Sequence, residues 1–367
     1  MAFYISLHYY LLLPFQKVKK MEITFYTEKD RAAYQEFVMY SSKASFYHRI
    51  EWKEAIEKVY GLPSFYILAK SKNNIKGIFP LFLMRDIFYK KILISLPYSN
   101  YGGIVAESME VAEALLKRAD YICKKNGAVY LEQRTLYPLI NKILLNKLIY
   151  FSLILELDHN PSNIWKKKVK RGAKKAVRQA IKYGLKAQVV NSTETNIKLF
   201  YDLYSKSIRD LGTPVHSFKW FKILAKLFKN DMLITFVYYT NKPIAGILFF
   251  SFKNTILAKY GASDRQFLNY RPNNLSFWTT IDYACRNNYK ILDFTRSRRE
   301  QGTYYFKTQW GAKPHQVYYQ YILNKISQIP HIDPSAPRYQ RLTQVWQRLP
   351  LSLTRLIGPP IRKRIPA

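Results

Sequence analysis

The chain has 367 residues, enough for about two domains, and 48% of them are hydrophobic, which excludes a disordered segment. Lys and Arg total 59 against 24 Asp and Glu, a formal net charge of +35 that attracts polyanions such as phosphate-rich ligands, anionic lipid heads or nucleic acid. The two cysteines, Cys123 and Cys285, exclude a disulfide scaffold and a Cys-based metal site, and fit a reducing, cytoplasmic compartment.

At the N-terminus, Phe3 to Phe15 is apolar and aromatic but too short to span a bilayer. Ser6 and His8 interrupt it, and its charges (Lys17, Lys19, Lys20) follow it, the wrong order for a secretory signal. Residues 1–20 therefore read as a non-native extension ahead of a start at Met21, with a short membrane-touching segment as the alternative.

Two strand–turn–strand patterns then resemble each other. In the first, Tyr66–Lys70 and Phe79–Leu83 flank Asn73-Asn-Ile-Lys-Gly77-Ile; in the second, Ile234–Tyr238 and Leu248–Phe250 flank Asn241-Lys-Pro-Ile-Ala-Gly246-Ile. A further strand follows in each case (Ile92–Leu96; Thr255–Tyr260). Next comes a helical stripe, Val111, Leu115, Ala119 and Ile122 in one copy and Leu275, Trp278, Ile281 and Cys285 in the other. Each series closes on a short strand ending in an acid, Glu132 or Asp293. Gly77 and Gly246 lie 169 residues apart and the two acids 161 apart, so the chain reads as a duplicated α/β unit spanning 21–157 and 186–330.

Between the units, Lys166–Lys186 holds ten basic residues and no acid. Lys167, Arg171, Lys174, Arg178 and Lys182 fall on one helical face, and Val169, Ala173, Ala176 and Ala180 on another. The spacing predicts one amphipathic helix of about four turns, capped by Ser162 or Asn163 and ended by Gly184 at C′, within a linking segment 158–185. A row of like charges repels itself unless an anion is nearby, so a phosphate-bearing partner is expected on this ridge.

Several chemistries have no sequence support. There is no Gly-x-Gly, no Walker loop, no His-Glu-x-x-His and no Gly-x-Ser-x-Gly, and the six histidines are scattered, so no metal is expected. An Arg-x-x-Gly-x-Gly/Ala loop, whose amides cradle a pyrophosphate, is half-matched twice, at Arg209–Pro214 and Arg299–Tyr304. Both fail at the last position.

The densest candidate site is Asp293-Phe-Thr-Arg-Ser-Arg-Arg-Glu-Gln-Gly302-Thr-Tyr-Tyr-Phe-Lys307-Thr-Gln-Trp310-Gly311. Read as extended, Thr303–Trp310 places Tyr304, Phe306, Thr308 and Trp310 on one face and Tyr305, Lys307 and Gln309 on the other. Lys307 beside the arginine loop makes a wall for an anion or a developing oxyanion. The bland alternative is a surface lysine with an Asp293–Arg296 ion pair.

Asp293-Phe-x-Arg-Ser, Gly302-Thr-Tyr-x-Phe-Lys307, Trp310-Gly311 and Tyr319-x-Tyr321 together resemble the FemAB-type branch of the GNAT-like transferases. They are most similar to the subgroup encoded with exosortase/PEP-CTERM exopolysaccharide systems. Tyr101-Gly-Gly103, Leu131-Glu-x-Arg134, Leu211-Gly-Thr-Pro214 and Tyr260-Gly-Ala262 extend the resemblance over nearly everything after Met21.

The resemblance implies an α/β (α+β) fold of two tandem GNAT-like domains with mixed sheets, plus a C-terminal strap over 331–367. It implies transfer of an acyl group from acyl-CoA, or an aminoacyl group from aminoacyl-tRNA, to an amine on a cell-envelope precursor such as one of peptidoglycan. It places Phe306 and Lys307 at the transfer site and makes Glu132 the nearest counterpart of a base.

On this reading Lys307 stabilises the acyl carbonyl or oxyanion, with Arg296 tuning its charge. Tyr260 and Tyr305 contact substrate or relay protons, and Trp310 joins Phe306 in the substrate wall. Arg171, Lys175, Arg178 and Arg209 hold phosphates of the acceptor or of a tRNA donor. The rival reading is a non-catalytic module that binds a polyanion or the inner face of the cytoplasmic membrane. Its support is the tail, where Trp346, Leu349, Leu351, Leu353 and Leu356 lie beside Arg348, Arg355, Arg362, Lys363 and Arg364. The tail is expected to pack back on the domains as a strap.

Overall fold

The computed structural model describes residues 21–330 and 337–366; the reading of residues 1–20 and the head of the tail lie outside them. In chain order the first half is β1 (Met21–Phe25), α1 (Arg31–Tyr40), α2 (Ile50–Tyr60), β2 (Ser64–Ser71), β3 (Asn74–Arg85), β4 (Lys91–Ile94), β5 (Val105–Ala106), α3 (Met109–Lys125) and β6 (Tyr130–Thr135). β7 (Leu145–Glu156), α4 (Pro161–Lys167) and α5 (Arg171–Lys182) lead across. The second half is β8 (Lys186–Asn191), α6 (Glu194–Asp210), α7 (Phe218–Phe228), β9 (Met232–Tyr239), β10 (Lys242–Phe252), β11 (Thr255–Ser263), α8 (Pro272–Arg286), β12 (Ile291–Arg298), α9 (Gly302–Thr308) and β13 (Lys313–Leu323). α10 (Pro337–Arg348) and α11 (Leu351–Arg362) follow.

The two hairpins form where the alternating apolar runs meet Asn-bearing turns. β2 pairs with β3 and β9 with β10, each antiparallel across a two-residue turn. The first turn residue, Lys72 or Thr240, is left-handed (φ 56 and 52), which matches the twist of tight hairpins. Ser108 caps α3, accepting from the Val111 amide, and the apolar stripe Val111, Leu115, Ala119 and Ile122 is buried. α3 comes so close to β3 that a Cβ on Gly77 would lie 2.6 Å from Val111 Cγ1.

All strands join one mixed sheet in the order β1-β2-β3-β4-β6-β13-β7-β12-β11-β10-β9-β8, with β5 beside β3. The doubling is visible in this order. Each half runs outward-in through antiparallel strands to one parallel pair, β4 with β6 or β11 with β12. Glu132 pairs with Ile94 and Asp293 with Leu257, in each case at the last rung of that parallel ladder. Beyond it β11 continues to Ser263 and β12 to Arg298 unpaired with each other, so the strands splay. The two acids therefore sit inside their strands, not at the ends.

The halves also exchange strands. β7, from the first segment, pairs with β12, and β13, from the second, pairs with β6, while β7 and β13 pair with each other at the centre. An aromatic core crosses the seam: Phe46 stacks on Phe250 at 4.5 Å and Trp52 meets Trp220 edge-on at 5.3 Å. Arg49 ties α2 to the second half through Asp231 at 2.7 Å.

Two local readings are corrected. The basic segment is two helices, not one. Asn160 caps α4, accepting from the Ser162 amide. The chain then breaks at Lys168–Lys170 because the Lys170 amide bonds the Gln309 carbonyl (2.8 Å) and not its own helix. The end of α5 matches expectation, with Gly184 at φ 78. Secondly, Thr303–Trp310 is not extended. It contains α9, held because Phe306 packs on Phe277 (5.3 Å) and on Trp310 (6.2 Å), a fully buried side chain.

Both corrections meet at Gly311, at φ 85, where a Cβ would lie 2.9 Å from the Lys168 carbonyl oxygen. Gly311→Ala should therefore lower stability by about 1–3 kcal/mol. A urea midpoint equal to wild type would show that this junction is looser than its geometry.

The tail packs back as the strap. Arg355 bonds Asp202 at 2.7 Å, Tyr98 donates its hydroxyl to the Lys363 carbonyl, and the Pro366 carbonyl accepts from the Tyr98 amide and from Arg134. No helix among the described residues is long and apolar enough to cross a membrane.

Candidate active site

The centre of the second half is an irregular stretch of β12. The β12–β7 ladder slips between Asp293 and Arg296, and Thr295, a β-branched residue, is left-handed at φ 65. Such a conformation is strained and persists only where its surroundings hold it. Asp293 holds it from one side: one carboxylate oxygen accepts from the Thr295 amide (2.6 Å) and from Ser152 Oγ (2.7 Å), the other from the Tyr101 hydroxyl (2.5 Å).

Lys307 holds it from the other side. The Lys307 Nζ, on the last turn of α9, donates to the carbonyls of Thr295 and Arg296, each at 3.1 Å. An ammonium has three donors, so one has no protein partner among the described residues. Burial pushes the Lys307 amine down to about 8, helped by Arg296 and opposed by Asp293. The bulge thus aims a compact cation, tunable near neutral pH, from a fixed seat.

Arg296 does not pair with Asp293. It donates to the Tyr319 hydroxyl, and its guanidinium lies 4.9 Å from the Tyr150 ring centroid. Tyr319 also receives Arg134 over its ring at 4.9 Å. Arg134 is in turn fixed by Glu132 at 2.7 Å, both side chains being buried. Glu132 is therefore a paired counter-ion.

The other expected site residues lie in different places. Phe306 and Trp310 pack with Phe277 in the core of the second half, beside Lys307 in sequence. Tyr305 is 54% exposed, on the outside of α9. Tyr260 is buried, accepts from Trp220 Nε1 at 2.9 Å, and is raised far above the usual phenol range by burial. That placement gives it a packing role in the aromatic core. Arg171, Lys175 and Arg178 are exposed along α5, where Ala173, Val177 and Ala180 face inward. Arg209 is apart from that ridge and bonds Asp210 at 2.7 Å. In the half-matched loop after it, Gly212 packs directly against Thr343 of α10, while Leu211 and Thr213 stay exposed.

Two residues at the seam were given no site role by the sequence, although Tyr101 belongs to one of the words that carry the resemblance. Tyr101, from the first half, reaches Asp293 of the second. Lys259 in β11 donates to the Tyr98 carbonyl (2.7 Å) and sits over the Tyr47 ring at 5.0 Å; burial pushes its amine well below the ordinary lysine range. A lone lysine in the apolar run Thr255–Ala262 was the available signal.

Tyr101 also lines a cavity of about 270 Å³ in the first half, beside the C-terminal end of β6. Gly102, Gly103, His48, Gln133 and the start of α3 complete its wall. His48 is held by the Ser45 amide on Nδ1 and the Gly103 carbonyl on Nε2, each at 3.0 Å, and burial lowers it to about 4. The Tyr101–Asp293 bond thus joins the cavity of one half to the lysine seat of the other. No group of three or more His, Cys, Asp or Glu placed to hold a metal occurs among the described residues.

Comparison with known proteins agrees with this fold. Residues 166–308 match Acetyltransf_6, an acetyltransferase (GNAT) domain, and the match ends one residue after Lys307. No curated protein matches the chain in sequence. Among solved structures, FemX is 14% identical with a TM-score of 0.64, over 88% of this chain and 100% of that one. A tandem GNAT protein from the clavulanic acid biosynthesis pathway is 9% identical (TM-score 0.54; 82% and 98% covered). A conserved protein of unknown function from Bacteroides thetaiotaomicron is 12% identical (TM-score 0.54; 83% and 100%). The chain therefore has a mixed α/β fold of two GNAT-like domains, and its stretch from Lys166 to Thr308 matches a GNAT acetyltransferase domain.

Proposed function

We propose that the protein is an acyltransferase that moves an acyl or aminoacyl group to an amine on a phosphate-bearing cell-envelope or exopolysaccharide precursor. The observation that carries this reading is the half-buried Lys307 amine, seated on two carbonyls of the strained β12 bulge inside a GNAT-matched domain. The amine nitrogen of the acceptor attacks the donor carbonyl and a C–N bond forms. The carbonyl oxygen becomes an oxyanion that takes the free N–H of Lys307. Collapse breaks the C–S bond of an acyl-CoA or the C–O bond of an aminoacyl-tRNA, and the amine's proton ends on that leaving group.

The order of sequence words supports the exosortase-associated subgroup and hence an exopolysaccharide setting. The exposed ridge Arg171, Lys175 and Arg178 has no acidic ion-pair partner among the described residues, so it stands ready for phosphates of the acceptor or of a tRNA donor.

A donor and acceptor screen tests the proposal: thermal shift with acetyl-CoA, charged tRNA and nucleotide-sugars, then transfer of a labelled acyl group. A ligand at 100 times its dissociation constant adds about 2.7 kcal/mol to stability. Absence of both shift and transfer with all of them would refute the reading.

A charged Lys307 also fixes the pH dependence. Turnover should fall with a one-proton limb as pH rises through about 8, where the amine loses its charge. The fold responds in the opposite sense. Its lysine is lowered from the ordinary value of 10.5, so the penalty for burying the charge is full below about 8 and relieved as pH rises towards 10.5. Flat turnover between neutral pH and pH 9 would remove the charged amine from the reaction.

A further inference from the structure

We propose that the C-terminal strap docks the protein on an anionic lipid surface, with α10 and α11 lying flat on it. The inference concerns the outer face of the strap and does not rest on the transfer chemistry.

Each strap helix is anchored by one face. α11 buries Thr354 and Gly358, the latter so close to Val215 that a Cβ would lie 3.0 Å from its side chain, and Arg355 bonds Ser205 and Asp202 of α6. α10 sets Thr343 against Gly212, and Gln347 donates to the Asp210 carbonyl at 2.9 Å. The opposite face of each helix is apolar and uncovered. On α10, Leu342 is 58% and Val345 60% exposed; on α11, Leu353 is 37% and Leu356 73% exposed. The spacing within each pair is three residues, which keeps the two side chains on one face.

The charges fit a lipid interface. Arg341, Arg348 and Lys363 are exposed beside these rows, and no acid occurs from Pro337 to Pro366. A protein interface depletes charge at its apolar centre, whereas here arginine adjoins leucine directly, the pattern of a helix whose apolar face enters the headgroup boundary while its cations meet phosphates. The surface continues past the helices. Arg364 stacks over Tyr89 at 3.8 Å, and at that hairpin tip Phe88 is 56% and Tyr89 63% exposed, aromatics of the kind that settle at membrane interfaces.

Flotation of the full chain with vesicles tests the proposal. One set is phosphatidylcholine alone; the other contains one-third phosphatidylglycerol. Wild type should float with the anionic set and stay behind with the neutral one. Leu353→Ser with Leu356→Ser should reduce recovery about tenfold. Leu356→Gln, at the most exposed of the four positions, should reduce it severalfold with an unchanged melting curve. Lys117→Gln with Lys125→Gln, which removes two exposed charges from α3, should stay within about twofold of wild type. The proposal fails if wild type ignores anionic vesicles, if the leucine variants float as well as wild type, or if the α3 variant loses as much as the strap variant. It also fails if the strap makes a dimer that Leu356→Gln abolishes and no vesicle captures. Flotation reads no turnover, so an inactive protein that floats leaves this inference standing.

Discussion

Replacing Lys307 by Met should lower the rate of transfer by about a hundredfold to a thousandfold while the protein stays folded. Loss of one preorganised donor to an oxyanion has that effect, about 2.7–4 kcal/mol of barrier. Met matches the four-atom stem of lysine and lacks only the amine, so packing along the stem is kept. Two carbonyls lose their donor, those of Thr295 and Arg296. Against that loss, a cation no longer has to be buried, so the two effects on stability oppose each other. A melting temperature near wild type together with lost turnover identifies a group acting in the reaction. The reverse pattern, a lower melting temperature with full turnover per folded molecule, would reduce Lys307 to a clamp on the bulge.

The second large effect is expected at Asp293. Asp293→Ala leaves three donors without an acceptor: the Tyr101 hydroxyl, the Ser152 hydroxyl and the Thr295 amide. Each buried donor left unsatisfied costs about 1–3 kcal/mol, so the variant should lose about 3 kcal/mol or more. Tyr101→Phe removes a single donor and should cost about 1 kcal/mol. Since Tyr101 belongs to the first half and Asp293 to the second, the loss should appear as one shifted urea transition seen alike by fluorescence and circular dichroism. An Asp293→Ala protein as stable as wild type would mean that the bulge is held by other contacts.

What the sequence made legible is what local pattern can carry. The two hairpins followed from apolar alternation around Asn73 and Asn241, and the stripes of α3 and α8 from their helical spacing. The recurring acids, Glu132 and Asp293, marked equivalent points, the last rungs of the two parallel ladders. The exchange of β7 and β13 was not legible, because period identifies a strand and says nothing of its partner. α9 was hidden by its Tyr, Phe and Thr content, which favours strands, a preference overridden by the packing of Phe306 on Phe277. The break between α4 and α5 has its cause in the Gln309 carbonyl, far away in sequence.

The site divides in the same way. Lys307, Arg296, Phe306 and Trp310 are near in sequence and come together around the bulge. Glu132, Tyr260 and Arg209 are remote in sequence and are claimed by other partners: Arg134, Trp220 and Asp210. The roles of Tyr101 and Lys259 emerged only with the seam between the halves.

The most direct test of the central claim is a crystal structure with a non-hydrolysable analogue of the donor found in the screen. The account predicts the acyl carbonyl oxygen within hydrogen-bond reach of the Lys307 Nζ, about 3 Å away, beside the Thr295 bulge. An acyl group lodged instead in the first-half cavity at Gly102 and Gly103, with the Lys307 amine touching only its two carbonyls, would contradict it.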